Sequence, residues 1–133
     1  MGRVMVDSSV WIDYLRNNAS PETKLLERLF DADAAQIGDL ILLEVLQGSR
    51  TDQQFDKTKR LLAVLPVAEL GGERMAIAAA ANYRALRVRG ITVRKTIDVL
   101  IGSYCIAHQI ALLHNDRDFD PMEQHVGLKV WRG

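Results

Sequence analysis

The chain alternates short apolar runs with longer segments of helical periodicity, and this alternation restricts the fold more than any other feature. Residues 4–6 form an apolar run closed by Asp7, and the next apolar residues return at helical spacing. Residues 35–38 and 111–113 form similar short runs beside helical segments. Sequences typical of hairpin turns are few. The pattern therefore predicts an α/β fold in which helices cover a mostly parallel sheet of about four to five strands.

Length and composition restrict the class of protein further. A chain of 133 residues is close to the commonest size of one domain, so we expect a single domain over residues 1–133. Seventeen basic and seventeen acidic side chains cancel, so any contact with nucleic acid must come from local clusters of charge. One cysteine excludes an internal disulfide, and no apolar stretch approaches the ~20 residues of a membrane helix. We expect a cytoplasmic protein that does not bind membranes.

Several longer segments carry predictions that the structure can test. Residues 40–48 are almost uniformly apolar apart from Glu44 and Gln47, so the helix predicted there should be buried. Residues 73–88 are rich in alanine and predict a long helix. The periodicity of residues 97–108 predicts a helix with His108 on its buried face, and residues 128–131 read as a further strand.

Four acidic residues stand where such a fold places its ligand sites. Ligands collect beyond the carboxyl ends of parallel strands, and Asp7 and Asp116 each follow a predicted strand. Asp98 lies in the first turn of the helix before the second of these strands, and Glu44 interrupts the apolar helix. Carboxylates that meet in one place repel each other unless a cation joins them, and oxygen ligands suit Mg²⁺ or Mn²⁺. The sequence therefore predicts a divalent metal site.

Three of these acids also have an ordinary structural interpretation. Asp7 could cap the helix that follows it, Asp98 could complement the positive end of its helix, and Asp116 lies in a turn-rich sequence. Glu44 is different, because burying an ionised glutamate among leucine, isoleucine and valine costs several kcal/mol without partners. Glu44 is the acid that most needs a functional reason.

The segments around these acids resemble, in order and spacing, the motifs of the PIN-domain ribonucleases. Among these the chain is most similar to the VapC toxins of toxin–antitoxin pairs, over residues 4 to about 131. The segments that carry the resemblance are Val-Met-Val-Asp-Ser-Ser-Val-Trp-Ile at 4–12, Glu-Val-Leu-Gln-Gly at 44–48, Asp-Val-Leu-Ile at 98–101 and Asn-Asp-Arg-Asp-Phe at 115–119.

The resemblance implies a PIN-like three-layer α/β/α sandwich and a set of site residues. The implied catalytic acids are Asp7, Glu44, Asp98 and Asp116. Of these, Asp7, Asp98 and Asp116 would bind Mg²⁺ or Mn²⁺, with Glu44 and Asp118 as further candidate ligands, directly or through water. Ser8 or Ser9 matches the hydroxyl residue after the first acid. His114 stands two residues before the last metal aspartate, where the family often has threonine, so a hydroxyl contact is missing there.

The implied activity is metal-dependent hydrolysis of RNA phosphodiester bonds, with tRNA or ribosomal RNA as expected substrates. Water would attack phosphorus and leave a 5′-phosphate and a 3′-hydroxyl. The implied partners are a VapB-type antitoxin that inhibits the enzyme and a second copy in a homodimer, with a larger hetero-oligomer containing the antitoxin as the alternative. Two other functions stay open: a PIN-like nuclease in RNA processing without an antitoxin, and a non-catalytic α/β regulatory module.

Two further surfaces have a functional and a structural interpretation. One set of apolar side chains either simply forms core or, as the resemblance implies, lines a groove for the antitoxin. The set is Trp11, Tyr14, Leu15, Leu25, Leu26, Leu29 and Phe30. Five cations between positions 84 and 95 could form an RNA-binding rim beside Asp98, or could be a solvated helix end. These cations are Arg84, Arg87, Arg89, Arg94 and Lys95.

Overall fold

A computed structural model describes residues 2–133. In this range short strands alternate with helices, as the sequence predicts. The strands are β1 (Val4–Val6), β2 (Ala35–Gly38), β3 (Val67–Ala68) and β4 (Ala111–Leu113). The helices are α1 (Ser8–Leu15), α2 (Pro21–Asp31), α3 (Asp39–Gln47), α4 (Asp52–Leu62), α5 (Glu73–Val88), α6 (Thr96–Ala107) and α7 (Asp120–His125), with a 3₁₀ turn at Arg117–Phe119 before α7.

The four strands form one parallel sheet in the order β3-β2-β1-β4. Val4 of β1 is in register with Ala35 on one side and with Ala111 on the other. All three residues of β1 are buried, as expected for a central strand that is covered on both faces. Because β1 and β4 are neighbours, the residues that follow them lie at the same edge of the sheet.

The helices pack in two groups, α1 to α4 and α5 to α7. Trp11 of α1 is fully buried, and its indole N–H donates to the Val6 carbonyl at 3.1 Å, which fixes α1 against β1. Ser20 caps α2 and forms a reciprocal capping box with Thr23. Phe30 of α2 meets the Trp11 ring edge-on at 5.6 Å. The apolar residues of α1 and α2 are thus largely used in the core.

Three predictions made from periodicity are wrong in part. Residues 128–131 do not form a strand; only Val130 makes a single parallel bridge to Leu112. Helix α3 is not buried on all sides, because Leu43 is 52% exposed. His108 is exposed at the end of α6, where it stacks on Tyr104 with the ring centroids 4.1 Å apart. The sheet of four strands agrees with the prediction, with this bridge in place of a fifth strand.

Within residues 2–133, no helix is both long enough and apolar enough to cross a membrane.

Candidate functional site

Asp7, directly after β1, is 2% exposed and has one carboxylate oxygen in use and one free. Its Oδ2 caps α1, accepting the Ser9 N–H at 3.1 Å and the Ser9 hydroxyl at 2.7 Å. Its Oδ1 is buried and has no hydrogen-bond partner in the described chain. Burial raises the pKa of Asp7 above its ordinary value, against the lowering effect of the Ser9 hydrogen bonds. Asp7 is therefore a helix cap with a second oxygen available to a ligand.

Asp98 lies in the first turn of α6 and is 4% exposed. Its Oδ2 is buried without a hydrogen-bond partner among residues 2–133. Burial and, to a smaller extent, the negative charge of Asp7 raise the pKa of Asp98, while Lys95 lowers it, and the net value is about 7. A carboxylate that is buried and unpaired in this way is costly unless it is protonated or binds a cation.

Glu44 reaches the same place from α3. Its Oε1 accepts a hydrogen bond from the Ser8 hydroxyl at 3.3 Å. Burial raises the pKa of Glu44, and the negative charge of Asp7 adds to the rise. Glu44 is half-buried, so it lies at the edge of the acidic site and not in an apolar interior.

The third part of the site follows β4. Asp116 Oδ1 accepts the Asp118 N–H at 2.9 Å and so caps the 3₁₀ turn. One carboxylate oxygen from each of Asp98, Asp116 and Asp118 lies within 4.8 Å of the other two. Two cations pair with this group: Lys95 Nζ lies 3.5 Å from Asp116, and an Arg94 guanidinium nitrogen lies 3.4 Å from Asp118.

The residues present suit a hard divalent cation. The donors are carboxylate oxygens, the ligands that Mg²⁺ and Mn²⁺ prefer, and two of these oxygens are buried with no other partner. The structure brings Asp98 and Asp116 together, as the sequence leads one to expect, and adds Asp118 to the tight group. Asp7 and Glu44 stand outside that group, and they act on Asp98 through their charge.

Sequence reasoning did not find the links that hold the site together. The Ser9 hydroxyl donates to Asp7 and also accepts the Asn115 N–H at 3.0 Å, across 106 positions of sequence. The Asn115 amide group contacts Asp13 at 3.3 Å. His114 Nδ1 accepts the Asp116 N–H at 3.1 Å. Burial lowers the pKa of His114, which favours a neutral ring. Motif spacing contains no information on such contacts.

The predicted RNA-binding cations divide into two sets. Arg94 and Lys95 contact acids of the site, whereas Arg84, Arg87 and Arg89 are exposed on α5 and at its C-terminal end. Among residues 2–133 these three form no ion pair with the acids.

A second feature is a groove of about 820 Å³ between α1, α3 and α4. Ile12, Leu15 and Leu61 give it an apolar lining. The charged residues described along it are all cations, namely Arg16, Arg50, Lys57 and Arg60. Helix α1 connects the two features, because it begins at Ser8 beside Glu44 and reaches the groove at Ile12, about one turn later.

A sequence model of the PIN domain matches residues 4–123. The chain belongs to the PIN-domain family. The ribonuclease VapC11 of Mycobacterium tuberculosis is 33% identical to this PIN-domain chain over 129 residues, which cover 96% of both proteins. VapC ribonuclease Mb1587 of Mycobacterium bovis has the same identity and coverage. The matched region runs from β1 into α7 and includes all of the acids described above.

Solved structures share the fold. VapBC2 from Rickettsia felis, bound to a DNA fragment from its promoter, superposes with a TM-score of 0.76 at 19% identity, covering 96% of both chains. FitAcB from Neisseria gonorrhoeae gives the same TM-score and coverage at 15% identity. The prediction of a PIN-like α/β fold is confirmed.

Proposed function

We propose that this PIN-domain chain is a metal-dependent endoribonuclease of the VapC toxin type, formed by a single domain over residues 1–133. The observation that carries the proposal is the pair of buried carboxylate oxygens without partners, Asp7 Oδ1 and Asp98 Oδ2, beside the tight group of Asp98, Asp116 and Asp118. Relatives at 33% identity over 96% of the chain are ribonucleases by name, which supports RNA as the substrate class.

The proposed metal is Mg²⁺ or Mn²⁺, held by Asp98, Asp116 and Asp118 with Asp7 Oδ1 as a further ligand. Such an ion, when bound, lowers the pKa of water and neutralises charge that develops on the phosphate. Glu44 stands at the edge of the site, where its carboxylate can accept a proton from the attacking water. The reaction forms a bond from water oxygen to phosphorus, breaks the bond to the 3′ oxygen, and leaves a 5′-phosphate and a 3′-hydroxyl.

Arg94 and Lys95 supply positive charge at the rim of the acids. In the proposed complex they contact phosphates of the RNA next to the scissile bond, because cations provide most of the affinity for the RNA backbone. Arg84, Arg87 and Arg89 extend this rim along the end of α5. The expected substrates are tRNA or ribosomal RNA loops, in a cytoplasmic location, and the buried unpaired Cys105 is compatible with a reducing compartment.

The test is cleavage of total cellular RNA by purified protein, with the new ends mapped by sequencing. Wild type is expected to produce discrete cuts with Mg²⁺ or Mn²⁺ and none with EDTA. Asp98→Asn removes one charge at constant size and should lower the cleavage rate at least ~100-fold. Asp31→Asn, an exposed aspartate at the end of α2, is the matched control and should cut like wild type. Cutting by Asp98→Asn, or cutting in EDTA, would contradict the proposal.

We also propose that the groove between α1, α3 and α4 holds the antitoxin. Its apolar lining and its four cations suit a segment that carries both apolar and acidic side chains. Because the groove begins at Ile12, about one turn of α1 after Ser8, a segment bound there lies close to Glu44 and can obstruct RNA. The VapBC complexes that share the fold support an antitoxin as the occupant.

Charge reversal in the groove tests this assignment. Lys57→Glu should weaken inhibition by the cognate antitoxin about tenfold or more, and leave cleavage of RNA without antitoxin unchanged. Lys24→Glu, an exposed lysine on α2, is the control. A variant that keeps its antitoxin affinity and instead shows a raised KM for RNA would identify the groove as an RNA surface.

The proposed assembly is a homodimer, alone or within a larger hetero-oligomer that contains the antitoxin. Helix α5 exposes Ile77 and Val88, which are 64% and 88% exposed, and a second copy would bury this apolar surface. Light scattering of wild type and Ile77→Asp measures the assembly, and a monomeric wild type would contradict the proposal.

A further inference from the structure

The segment that carries Asp116 has no strand or helix of its own to hold it. It joins the end of β4 to the 3₁₀ turn, and two consecutive backbone N–H groups in it bind side chains. The Asn115 N–H donates to the Ser9 hydroxyl at 3.0 Å, and the Asp116 N–H donates to His114 Nδ1 at 3.1 Å. The position of Asp116 therefore depends on side-chain acceptors.

His114 is well placed to be a rigid acceptor. Its ring packs against Phe119, with the centroids 5.0 Å apart at 45°, and Phe119 is fully buried. Because Nδ1 accepts a hydrogen bond, it carries no proton, and the neutral ring must carry its proton on Nε2, which is buried and has no hydrogen-bond partner in the described chain. The packing fixes the ring, and the hydrogen bond fixes the tautomer.

The effect of this contact extends to a second acid. Asp116 uses Oδ1 to accept the Asp118 N–H at 2.9 Å, so the orientation of Asp116 also sets the turn that presents Asp118. One contact at His114 thus acts on two of the three carboxylates that lie within 4.8 Å of one another.

We propose that His114 is a positioning residue, whose Nδ1 holds the Asp116 backbone so that the carboxylates of Asp116 and Asp118 converge on Asp98. The role rests on the proposed function, because it concerns the geometry of the candidate metal site.

The test compares two amides that replace different nitrogens of the ring. In His114→Asn the side-chain oxygen takes the place of Nδ1, whereas in His114→Gln it takes the place of Nε2. We expect Asn to keep the Mn²⁺ affinity within about threefold, and Gln and His114→Leu to weaken it by tenfold or more, the usual cost of removing a group that orients a metal ligand. Calorimetry on EDTA-stripped protein measures this, with His125→Asn, an exposed histidine in α7, as the control.

A second readout uses the metal-free wild type. Nitrogen-15 NMR of the His114 ring should show a proton on Nε2 and none on Nδ1, and a protonated Nδ1 would overturn the proposal. Equal Mn²⁺ affinities of the Asn and Gln variants would also overturn it. Both readouts are independent of RNA cleavage. If wild type binds Mn²⁺ with the expected order of variants but cuts no RNA, the ribonuclease proposal fails and the positioning role stands.

Discussion

At the scale of single residues, the site is defined by carboxylates that are buried and have an oxygen without a hydrogen-bond partner within the described chain. Asp7 shows how one side chain serves two purposes, because Oδ2 caps α1 while Oδ1 stays free. Asp98 caps no helix, its Oδ2 is buried without a partner, and one of its oxygens lies within 4.8 Å of oxygens of Asp116 and Asp118. An aspartate kept only for stability would be hydrogen-bonded at such depth, so the pair is better explained by a ligand than by the fold.

Asp98 should make the metal-free protein less stable as pH rises. Its pKa is about 7 in the folded protein and near 3.8 when unfolded, so between these values the folded state holds a proton that the unfolded state releases. The stabilising contribution is complete below pH 4 and is lost as pH rises to 7. Asp98→Asn should therefore raise the free energy of unfolding in EDTA, by about 1–2 kcal/mol at pH 8 after allowance for solvent screening, and by little at pH 4.

Urea unfolding at both pH values, with Asp31→Asn as the control, measures this difference. An Asp98→Asn variant that is less stable than wild type at pH 8 in EDTA would mean that the Asp98 carboxylate is well paired in the folded chain. That result would remove the physical argument for a cation at this position.

At the scale of elements, helix α3 depends on a glycine at its start. A Cβ on Gly38 would lie 2.7 Å from Leu70 Cγ and would also collide with Leu70 Cδ1, and Leu70 is fully buried. Gly48 at the other end of α3 has helical backbone geometry, and a Cβ there would lie 3.5 Å from the nearest atom, an ordinary contact. Gly38→Ala should destabilise the fold by about 1–3 kcal/mol. Gly48→Ala should be neutral or slightly stabilising.

Thermal unfolding of the two variants gives the comparison directly. Because α3 carries Glu44, the Gly38→Ala variant should also lose cleavage activity if Leu70 displaces the helix. Equal melting temperatures for the two variants would show that Leu70 moves aside at little cost.

The elements also show what periodicity can and cannot predict. The alanine-rich pattern of α5 gave its bounds, Glu73–Val88, because helix propensity and the following Gly90 are local properties. The exposure of Leu43 and the single bridge at Val130 depend on which distant residues pack against them. A local sequence pattern gives no information on these tertiary contacts. The same limit applied in the site. The ends of the predicted strands gave the location of Asp7 and Asp116. The hydrogen bond between Ser9 and Asn115 could not be predicted in this way, because it joins residues far apart in sequence.

At the scale of the whole molecule, a formal charge of zero hides two surfaces of opposite sign. The acids gather where β1, β4 and α6 meet, and four cations line the groove along α1, α3 and α4. The acidic site suits a cation, and the basic groove suits an anionic partner. Counting charges in the sequence could not separate these surfaces, because both signs are spread along the whole chain.

The last prediction concerns the stability of the whole fold. A divalent ion bound by acids from the end of β1, from α6 and from the segment after β4 would join three parts of the chain that meet only in the folded state. At a hundred times its Kd, such an ion stabilises the folded state by about 2.7 kcal/mol, and Mn²⁺ should raise the melting temperature by several degrees. The increase should be larger at pH 8 than at pH 6, because the raised pKa of Asp98 makes Mn²⁺ compete with a proton at the lower pH.

The measurement is calorimetric melting with Mn²⁺, with EDTA, and with NaCl at matched ionic strength. Asp98→Asn should lose most of the increase, and Asp31→Asn should keep it. A rise of equal size in NaCl would mean that general screening of the acids, and no bound ion, stabilises the fold. Loss of the increase in Asp98→Asn at both pH values would instead locate the ion at the carboxylate of Asp98, the same group that governs the pH dependence of the metal-free protein.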